Sequence, residues 1–154
     1  MIINPFEKFD KEWALVTAGN INDFNTMTIS WGSMGTVWSK SMITVYVRPD
    51  RYTFNYLKNS DYFTVSFFDD KYHKDLATLG TLSGRDTKKV ELTKITPKKI
   101  DSTVGFSEAS LTFVCKKVYF SQMKYEDVPD YAKTIYQNGI EPHYIIMGEV
   151  VNTI

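Results

Sequence analysis

The chain has 154 residues, with 18 Lys and Arg against 18 Asp and Glu and a single cysteine, Cys115. One domain of ordinary size has this length, so we expect a single domain over residues 1–154. A formal net charge of zero gives no basic excess for nucleic acid or an anionic membrane, and we expect neither partner. The lone cysteine and the lack of a long apolar run argue against a disulfide scaffold and a membrane span, and predict a cytoplasmic protein.

The first half of the chain predicts β-strands. Hydrophobic residues make up 43% of the sequence and aromatic residues 15%, which is typical of strand-rich domains. Alternating or β-branched runs predict strands over residues 13–17, 27–31 and 42–47, with a turn over residues 20–25. The glycines of segment 32–35 predict a turn that brings main-chain N–H groups close to a ligand.

A helix is predicted over residues 51–59, with Asp50 as its N-cap, and a strand over residues 62–68. The remaining predictions are a short helix over residues 72–79, a polar loop over residues 81–89 and two closing strands over residues 111–118 and 143–151. A further helix is predicted between those strands, over residues 131–136. Many short strands with few helices predict a mainly β, antiparallel barrel.

The start of the helix after Asp50 is suited to an anion. Its first-turn N–H groups, those of Arg51, Tyr52 and Thr53, are predicted to be free donors at the positive end of the helix dipole. Arg48 and Arg51 would add charge-assisted hydrogen bonds. The plainer alternative is that Asp50 caps the helix and both arginines are solvated.

A second polar cluster lies in the loop of residues 80–89, which carries hydroxyls, two glycines and three cations. Such a loop offers a second set of polar contacts to a ligand. Its alternative interpretation is a charged, mobile surface loop.

Residues for metal or nucleophilic chemistry are sparse. His73 and His143 stand alone in the sequence, and Cys115 lies in an alternating strand pattern that predicts a packed thiol. The sequence contains no recognisable Ser-His-Asp arrangement or paired-carboxylate motif. We therefore expect no metal site and a reaction whose chemistry a bound cofactor supplies.

Four motifs follow one another along the chain: Asn25-x-Met27-Thr28-x-Ser30-Trp31-Gly32, Val47-Arg48-Pro49-x-Arg51-Tyr52-Thr53, Leu79-Gly80-Thr81-x-Ser83-Gly84-Arg85-Asp86-x-x-Lys89 and His143-Tyr144-x-x-x-Gly148-Glu149-Val150. In this order they resemble the flavin reductase-like, flavoredoxin-type FMN-binding proteins, over residues 10–152. The resemblance implies a split β-barrel, antiparallel and Greek-key-like, and a homodimer that holds FMN noncovalently near the subunit interface.

The resemblance also implies which residues bind the cofactor. Along the isoalloxazine ring and ribityl chain it places Asn25, Met27, Thr28, Ile29, Ser30 and Trp31. At the phosphate it places Arg51, Tyr52 and Thr53, with Arg48 nearby. Closing over the phosphate or ribityl end it places Ser83, Gly84, Arg85 and Lys89. His143 would lie near the flavin ring edge or the nicotinamide.

The function implied is that of an FMN-dependent oxidoreductase, a flavin reductase in which NADH or NADPH passes a hydride to FMN N5 and electrons leave to free flavin, a metal complex or a protein. Three alternatives stay open: an electron-transfer flavoprotein without nicotinamide activity, a barrel that binds single-stranded nucleic acid through aromatic residues, and a dimeric interaction module without cofactor. Relatives often continue beyond the position of Ile154, so we expect the dimer contacts and the lid over the flavin to differ.

Overall fold

A computed structural model describes residues 3–154, and antiparallel strands dominate it. The strands are β1 Ala14–Asn20, β2 Asp23–Ile29, β3 Gly32–Val37, β4 Lys40–Val47, β5 Tyr62–Phe68, β6 Pro97–Ile100, β7 Thr103–Phe106, β8 Ala109–Gln122 and β9 Tyr144–Thr153. The α-helices are α1 Pro5–Asp10, α2 Tyr52–Asn59, α3 His73–Thr81 and α4 Asp130–Lys133. Short 3₁₀ turns cover Asp70–Tyr72, Lys89–Leu92, Tyr125–Asp127 and Thr134–Tyr136.

The large sheet closes on itself because its two edge strands are consecutive in sequence. Its strand order is β2-β1-β5-β8-β9-β4-β3, and each neighbouring pair is antiparallel. Between the end of β2 at Ile29 and the start of β3 at Gly32 lie Ser30 and Trp31 alone. An extended chain covers about 3.5 Å per residue, so this connection reaches roughly 10 Å and the sheet must curl until its edges meet. This confirms the predicted antiparallel split barrel.

Strand β1 is buried on both of its faces, which explains why its sequence does not alternate between apolar and polar residues. Val16 points into the barrel interior, where α2 also packs through Phe54. Leu15 points the other way, into a second cluster that includes Leu76 and Leu79 of α3. Helix α3 therefore packs on the outside of the sheet, with β2 beside it and Leu15 of β1 beneath it.

Hydroxyl pairs satisfy four of the polar side chains that the sheet buries. The Thr17 and Thr26 side-chain oxygens are 2.7 Å apart across β1 and β2, and those of Ser66 and Thr112 are 3.0 Å apart across β5 and β8. Each pair consists of directly opposed residues in the strand register. Cross-strand hydroxyls thus bond to each other and leave no unsatisfied buried oxygen at these positions.

The segment 32–35 is a strand, so the predicted ligand-binding turn there is wrong. Gly32 opens β3, which pairs with β4 along its length, and the chain reverses at Trp38 and Ser39. Both turn residues have positive φ, 52° and 57°, as tight hairpins favour. A Cβ built at Gly32 would overlap the ring of Phe9, so this glycine serves the packing of α1 rather than a ligand.

Asp50 is not the N-cap of α2, contrary to the prediction. Its carboxylate forms two hydrogen bonds with the guanidinium of Arg48, at 3.0 and 3.1 Å, and the N-cap position belongs to Arg51. The Arg51 N–H also donates to the Arg48 carbonyl at 3.1 Å, so it is not a free donor. The Asp50 carboxylate therefore binds the Arg48 guanidinium, and α2 has no side-chain capping bond from any residue that the structure describes.

Other boundaries moved by a few residues. Strand β5 has the predicted bounds. Strand β2 begins at Asp23, inside the predicted turn, because the turn is tighter than expected. The Asn20 side-chain oxygen closes it by accepting hydrogen bonds from the N–H groups of Asn22 and Asp23. Helix α3 includes Gly80, and β8 extends beyond the predicted strand at both ends. Helix α1 and the β6–β7 hairpin had no predicted counterpart. None of the helices in residues 3–154 is long and apolar enough to cross a membrane.

Candidate functional site

Two neighbouring cavities contain every residue that the resemblance assigns to cofactor binding, together with His143. The first, which we call the basic cavity, has a volume of about 190 Å³ and is lined by Asn25, Asp50, Arg51, Tyr52, Thr53, Thr81, Leu82, Ser83, Gly84, Arg85, Asp86 and Lys89. The second, the aromatic groove, has about 270 Å³ and is lined by Met27, Thr28, Ile29, Ser30, Trp31, Tyr46, Arg48, Arg51, Ile135 and His143. Arg51 lines both, so the two are adjacent.

Two cations of the basic cavity are held by carbonyl groups at the end of α3. The Lys89 ammonium donates to the Leu79 and Leu82 oxygens at 2.8 and 2.9 Å, and Arg51 Nη2 donates to the Gly80 oxygen at 3.0 Å. These carbonyls are the negative end of a helix, where cations are stabilised. The end of α3 therefore fixes both charges at the cavity wall.

Both cations are partly deprived of solvent. Burial, and secondarily the charge of Arg51, lowers the pKa of Lys89 to about 8. Burial, and secondarily the charge of Arg48, also lowers the pKa of Arg51. Within residues 3–154, no salt bridge involves either side chain. An anionic group in the cavity would relieve this cost, because an opposite charge favours the protonated forms.

Two carboxylates line the basic cavity, and neither forms a salt bridge with Arg51 or Lys89 among residues 3–154. Asp50 is bound by Arg48, as described above, and Asp86 is exposed on the loop after α3. Arg85, a third cation of the cavity wall, lies over the ring of Tyr52 with 5.5 Å between the guanidinium carbon and the ring centroid. The cavity thus keeps a local positive charge within a chain of zero net charge.

The loop of residues 82–88 is packed against β2. A Cβ built at Gly84 would overlap the side-chain amide of Asn25, so only glycine allows this close approach. The same amide donates through Nδ2 to Thr53 Oγ1 at 2.8 Å. Asn25 therefore joins the loop, β2 and the first turn of α2 into one wall, which sequence spacing alone did not indicate.

The aromatic groove runs along the end of β2. Met27 and Ile29 point into the barrel core, 6% and 5% exposed, so they can offer a ligand little beyond their main chain. The Thr28 hydroxyl donates its proton to the Leu76 carbonyl of α3 and can therefore only accept a hydrogen bond from a ligand. Trp31, at the corner after β2, is 43% exposed and supplies a flat apolar surface.

His143 packs against Trp31 in the wall of the groove. Their ring centroids are 4.7 Å apart at an interplanar angle of 38°, and His143 Nδ1 lies 2.7 Å from the Tyr136 hydroxyl. Burial, and secondarily the charge of Arg48, lowers the pKa of His143 to about 4, although Asp50 acts in the opposite direction. The imidazole is therefore neutral near pH 7.

Three contributors to the groove were missed by the sequence motifs. Tyr46 lies in β4, and Ile135 lies in the segment between β8 and β9. Tyr136, in the same segment, touches the groove through His143. The alternation of β4 could have indicated Tyr46, whereas the irregular segment carries no periodic signal that would place Ile135 or Tyr136.

Cys115 and His73 lie outside the site. Cys115 is buried in the barrel core, as predicted, and burial raises the pKa of its thiol to about 12. His73 stacks on Trp13 with ring centroids 4.0 Å apart, away from both cavities. Residues 3–154 hold no group of three or more His, Cys, Asp or Glu side chains arranged to hold a metal. The cavities therefore offer cations, hydroxyls and flat rings with which to bind and orient a ligand.

A family model described as "Flavin reductase like domain" matches residues 6–154. The chain belongs to the flavin reductase-like family. This confirms the resemblance drawn from the four motifs. A comparison with curated proteins gave no match.

Solved structures of flavin-binding proteins share the fold at low sequence identity. Flavoredoxin from Methanosarcina acetivorans is 19% identical with a TM-score of 0.72, over 93% of this chain and 67% of that one. An FMN-binding protein from Thermus thermophilus with bound 1-cyclohex-2-enone is 16% identical with a TM-score of 0.74, over 100% and 78%. The NADH:FAD oxidoreductase SgcE6 of Streptomyces globisporus C-1027, in complex with NAD and FAD fragments, is 15% identical with a TM-score of 0.69, over 93% and 73%.

Proposed function

We propose that this protein binds FMN noncovalently and is an oxidoreductase that accepts electrons from NADH or NADPH. The observation that carries the proposal is that a basic cavity and an aromatic groove lie side by side, with Arg51 in the wall of both. FMN joins a phosphate to a flat ring through a short polar chain, so it needs a cationic site beside a flat one. Membership of the flavin reductase-like family supports the same conclusion.

The basic cavity fits the phosphate. Arg51 is the main ligand, because it lines both cavities and has one donor position committed to Gly80. The first turn of α2 adds the N–H groups of Tyr52 and Thr53, which have no carbonyl partner within the helix. Lys89 would attract the phosphate mainly through its charge, since two of its three ammonium protons already bind protein carbonyls.

The aromatic groove fits the ring and the ribityl chain. The main chain of β2 from Met27 to Ile29 and the hydroxyl of Ser30 lie along it, while Trp31 and His143 form its far wall. These groups orient the ring and restrict which of its faces is open. When bound, FMN would accept a hydride from reduced nicotinamide at N5 and pass electrons on to an acceptor. The chain's own residues bind, orient and exclude water, and no protein nucleophile takes part.

The visible absorption spectrum of the purified protein, followed by anaerobic addition of NADH and of NADPH, tests this proposal. We expect a yellow protein whose flavin absorbance bleaches with at least one nucleotide. A yellow protein that neither nucleotide bleaches would replace the reductase with an electron-transfer flavoprotein that a partner reduces. A protein that remains colourless with added FMN would contradict the cofactor itself.

We also propose a homodimer, as the resemblance implies, with FMN near the subunit interface. Neighbouring strands β8 and β9 expose the apolar side chains Val118, Tyr119 and Val151, between 39% and 49% accessible. Pairing with a second copy would bury such side chains. Light scattering coupled to gel filtration should give twice the mass of one chain, and a monomer at micromolar concentration would contradict the dimer.

A cytoplasmic location remains part of the proposal. It is supported by the single cysteine, whose buried thiol is free. Fractionation of cells that express the tagged protein should recover it with the cytoplasmic fraction, and recovery from the envelope or medium would contradict this location.

A further inference from the structure

His143 and Tyr136 form a contact that neither the family match nor the motifs assign. The Tyr136 hydroxyl lies 2.7 Å from His143 Nδ1, and the two rings meet edge to face with centroids 5.6 Å apart. On another side, Trp31 packs against the imidazole. Two aromatic rings and one hydrogen bond thus determine the orientation of His143 within the aromatic groove.

The chemistry of the two partners favours one direction for the hydrogen bond. A phenol O–H is a good donor, and an unprotonated imidazole nitrogen is a good acceptor. With the Tyr136 O–H as donor to Nδ1, a neutral imidazole carries its proton on Nε2. Neutrality is favoured here by burial and by Arg48 at the end of β4, while Asp50 opposes it more weakly.

We propose that Tyr136 is a positioning residue that holds His143 as its Nε2–H tautomer, so that the aromatic groove presents a neutral hydrogen-bond donor to a carbonyl oxygen of the ligand. A flavin ring and a nicotinamide carboxamide both carry such an oxygen. A neutral donor binds a carbonyl without adding a charge to the groove, where Arg48 and Arg51 already lie. The identity of the ligand rests on the function proposed above, whereas the tautomer does not.

Nitrogen-15 NMR of the imidazole side chains measures the tautomer directly, in the protein without added flavin. The chain has two histidines, so the variant His73→Gln assigns both sets of signals. We expect His143 to show a protonated Nε2 and an unprotonated Nδ1 near pH 7. A protonated Nδ1 in the wild-type protein would overturn the proposal.

The variant Tyr136→Phe removes one oxygen and keeps the ring. We expect the Nδ1–H tautomer of His143 to become detectable and its titration to move to higher pH, because the bond that favours the neutral form is lost. Tyr131→Phe is the matched control: this tyrosine lies in the same segment and is 89% exposed. An unchanged His143 spectrum in Tyr136→Phe would contradict the role of the hydroxyl.

The FMN-loaded protein supplies a second measurement. Tyr136→Phe should slow flavin reduction by NADH about two- to tenfold, the value of one neutral hydrogen bond, and Tyr131→Phe should match the wild type. Unchanged reduction in Tyr136→Phe would overturn the contact with the ligand. If the wild-type protein failed to bind FMN, the proposed function would fail, while the NMR spectra would still decide the tautomer.

Discussion

The basic cavity and the aromatic groove are neighbours, yet they are built in different ways. Most of the cavity comes from two short stretches of chain, residues 50–53 and 81–89, and its main feature is charge. The groove collects residues from β2, β4 and the segment before β9, and its main feature is shape. With FMN bound as proposed, the cavity would provide affinity for the phosphate, and the groove would control access to the flavin ring.

The largest expected effect is on the cavity. Arg51→Ala should weaken FMN binding by about 1.5–3 kcal/mol, roughly ten- to a hundredfold, because it removes a charged hydrogen bond to the phosphate. Fluorescence quenching on titration with FMN measures this. Riboflavin, which lacks the phosphate, is the control ligand, and its affinity should change far less. Equal losses for FMN and riboflavin would show that Arg51 acts through the shape of the site instead.

A smaller effect is expected at the back of the cavity wall. Lys89→Met should reduce the free energy of unfolding by about 1–3 kcal/mol, because the Leu79 and Leu82 carbonyls lose their donor. Urea unfolding measures the change. The neighbouring Lys88 is exposed, so Lys88→Met should stay within about 0.5 kcal/mol of the wild type. Equal stability of the two variants would contradict a structural role for the buried ammonium.

The lowered pKa of Lys89 predicts that FMN binding in the cavity depends on pH in a range where the groove should not respond. The pKa of Lys89 in the folded protein is about 8, below the ordinary 10.5. Between pH 8 and pH 10.5 the unfolded chain therefore binds more protons than the folded one, and this group makes the free energy of unfolding rise with pH. A bound phosphate favours the charged ammonium, so FMN affinity should fall as pH rises through about 8. Titrations at pH 7 and pH 9 test this, and Lys89→Met should lose the difference. An equal fall in Lys89→Met would assign it to another group.

The groove should be insensitive to pH over the physiological range. The pKa of His143 is about 4, so its imidazole stays neutral and the rate of flavin reduction should show no histidine inflection between about pH 5 and pH 8. In the unfolded chain the same histidine takes up a proton near its ordinary pKa of 6.5, so its contribution to stability is lost as pH falls from 6.5 towards 4. Stopped-flow reduction and urea unfolding measure the two effects. An inflection near pH 6.5 that His143→Gln removes would contradict the neutral imidazole.

The smallest effect on activity is expected outside both cavities. Cys115→Ser should leave flavin reduction largely unchanged, although a hydroxyl in the barrel core costs stability, about 1–3 kcal/mol. Steady-state turnover and urea unfolding measure the two quantities separately. Loss of turnover in a stable, FMN-loaded variant would give the thiol a role that its burial does not predict.

The two parts of the site differed in how well the sequence predicted them. Arg51, Ser83 and Lys89 carry charge or hydroxyls in short motifs, and the structure brings them into one cavity as expected. The turn predicted at residues 32–35 was wrong, because Gly32 lies in a strand and packs against the Phe9 ring of α1. The predicted Asp50 cap was wrong, because the Asp50 carboxylate binds Arg48. Local sequence rules did not contain those competing contacts.

The sequence by itself determined the class of fold, the family and the positions of the cations, since strand patterning, turn residues and charged motifs are local properties of the chain. The tertiary structure decided how those cations are held and what stands opposite them. Lys89 is bound by the carbonyls of α3, and His143 is oriented by Trp31 and Tyr136. These contacts depend on the closure of the barrel, which brings together segments distant in sequence, so no local pattern can express them.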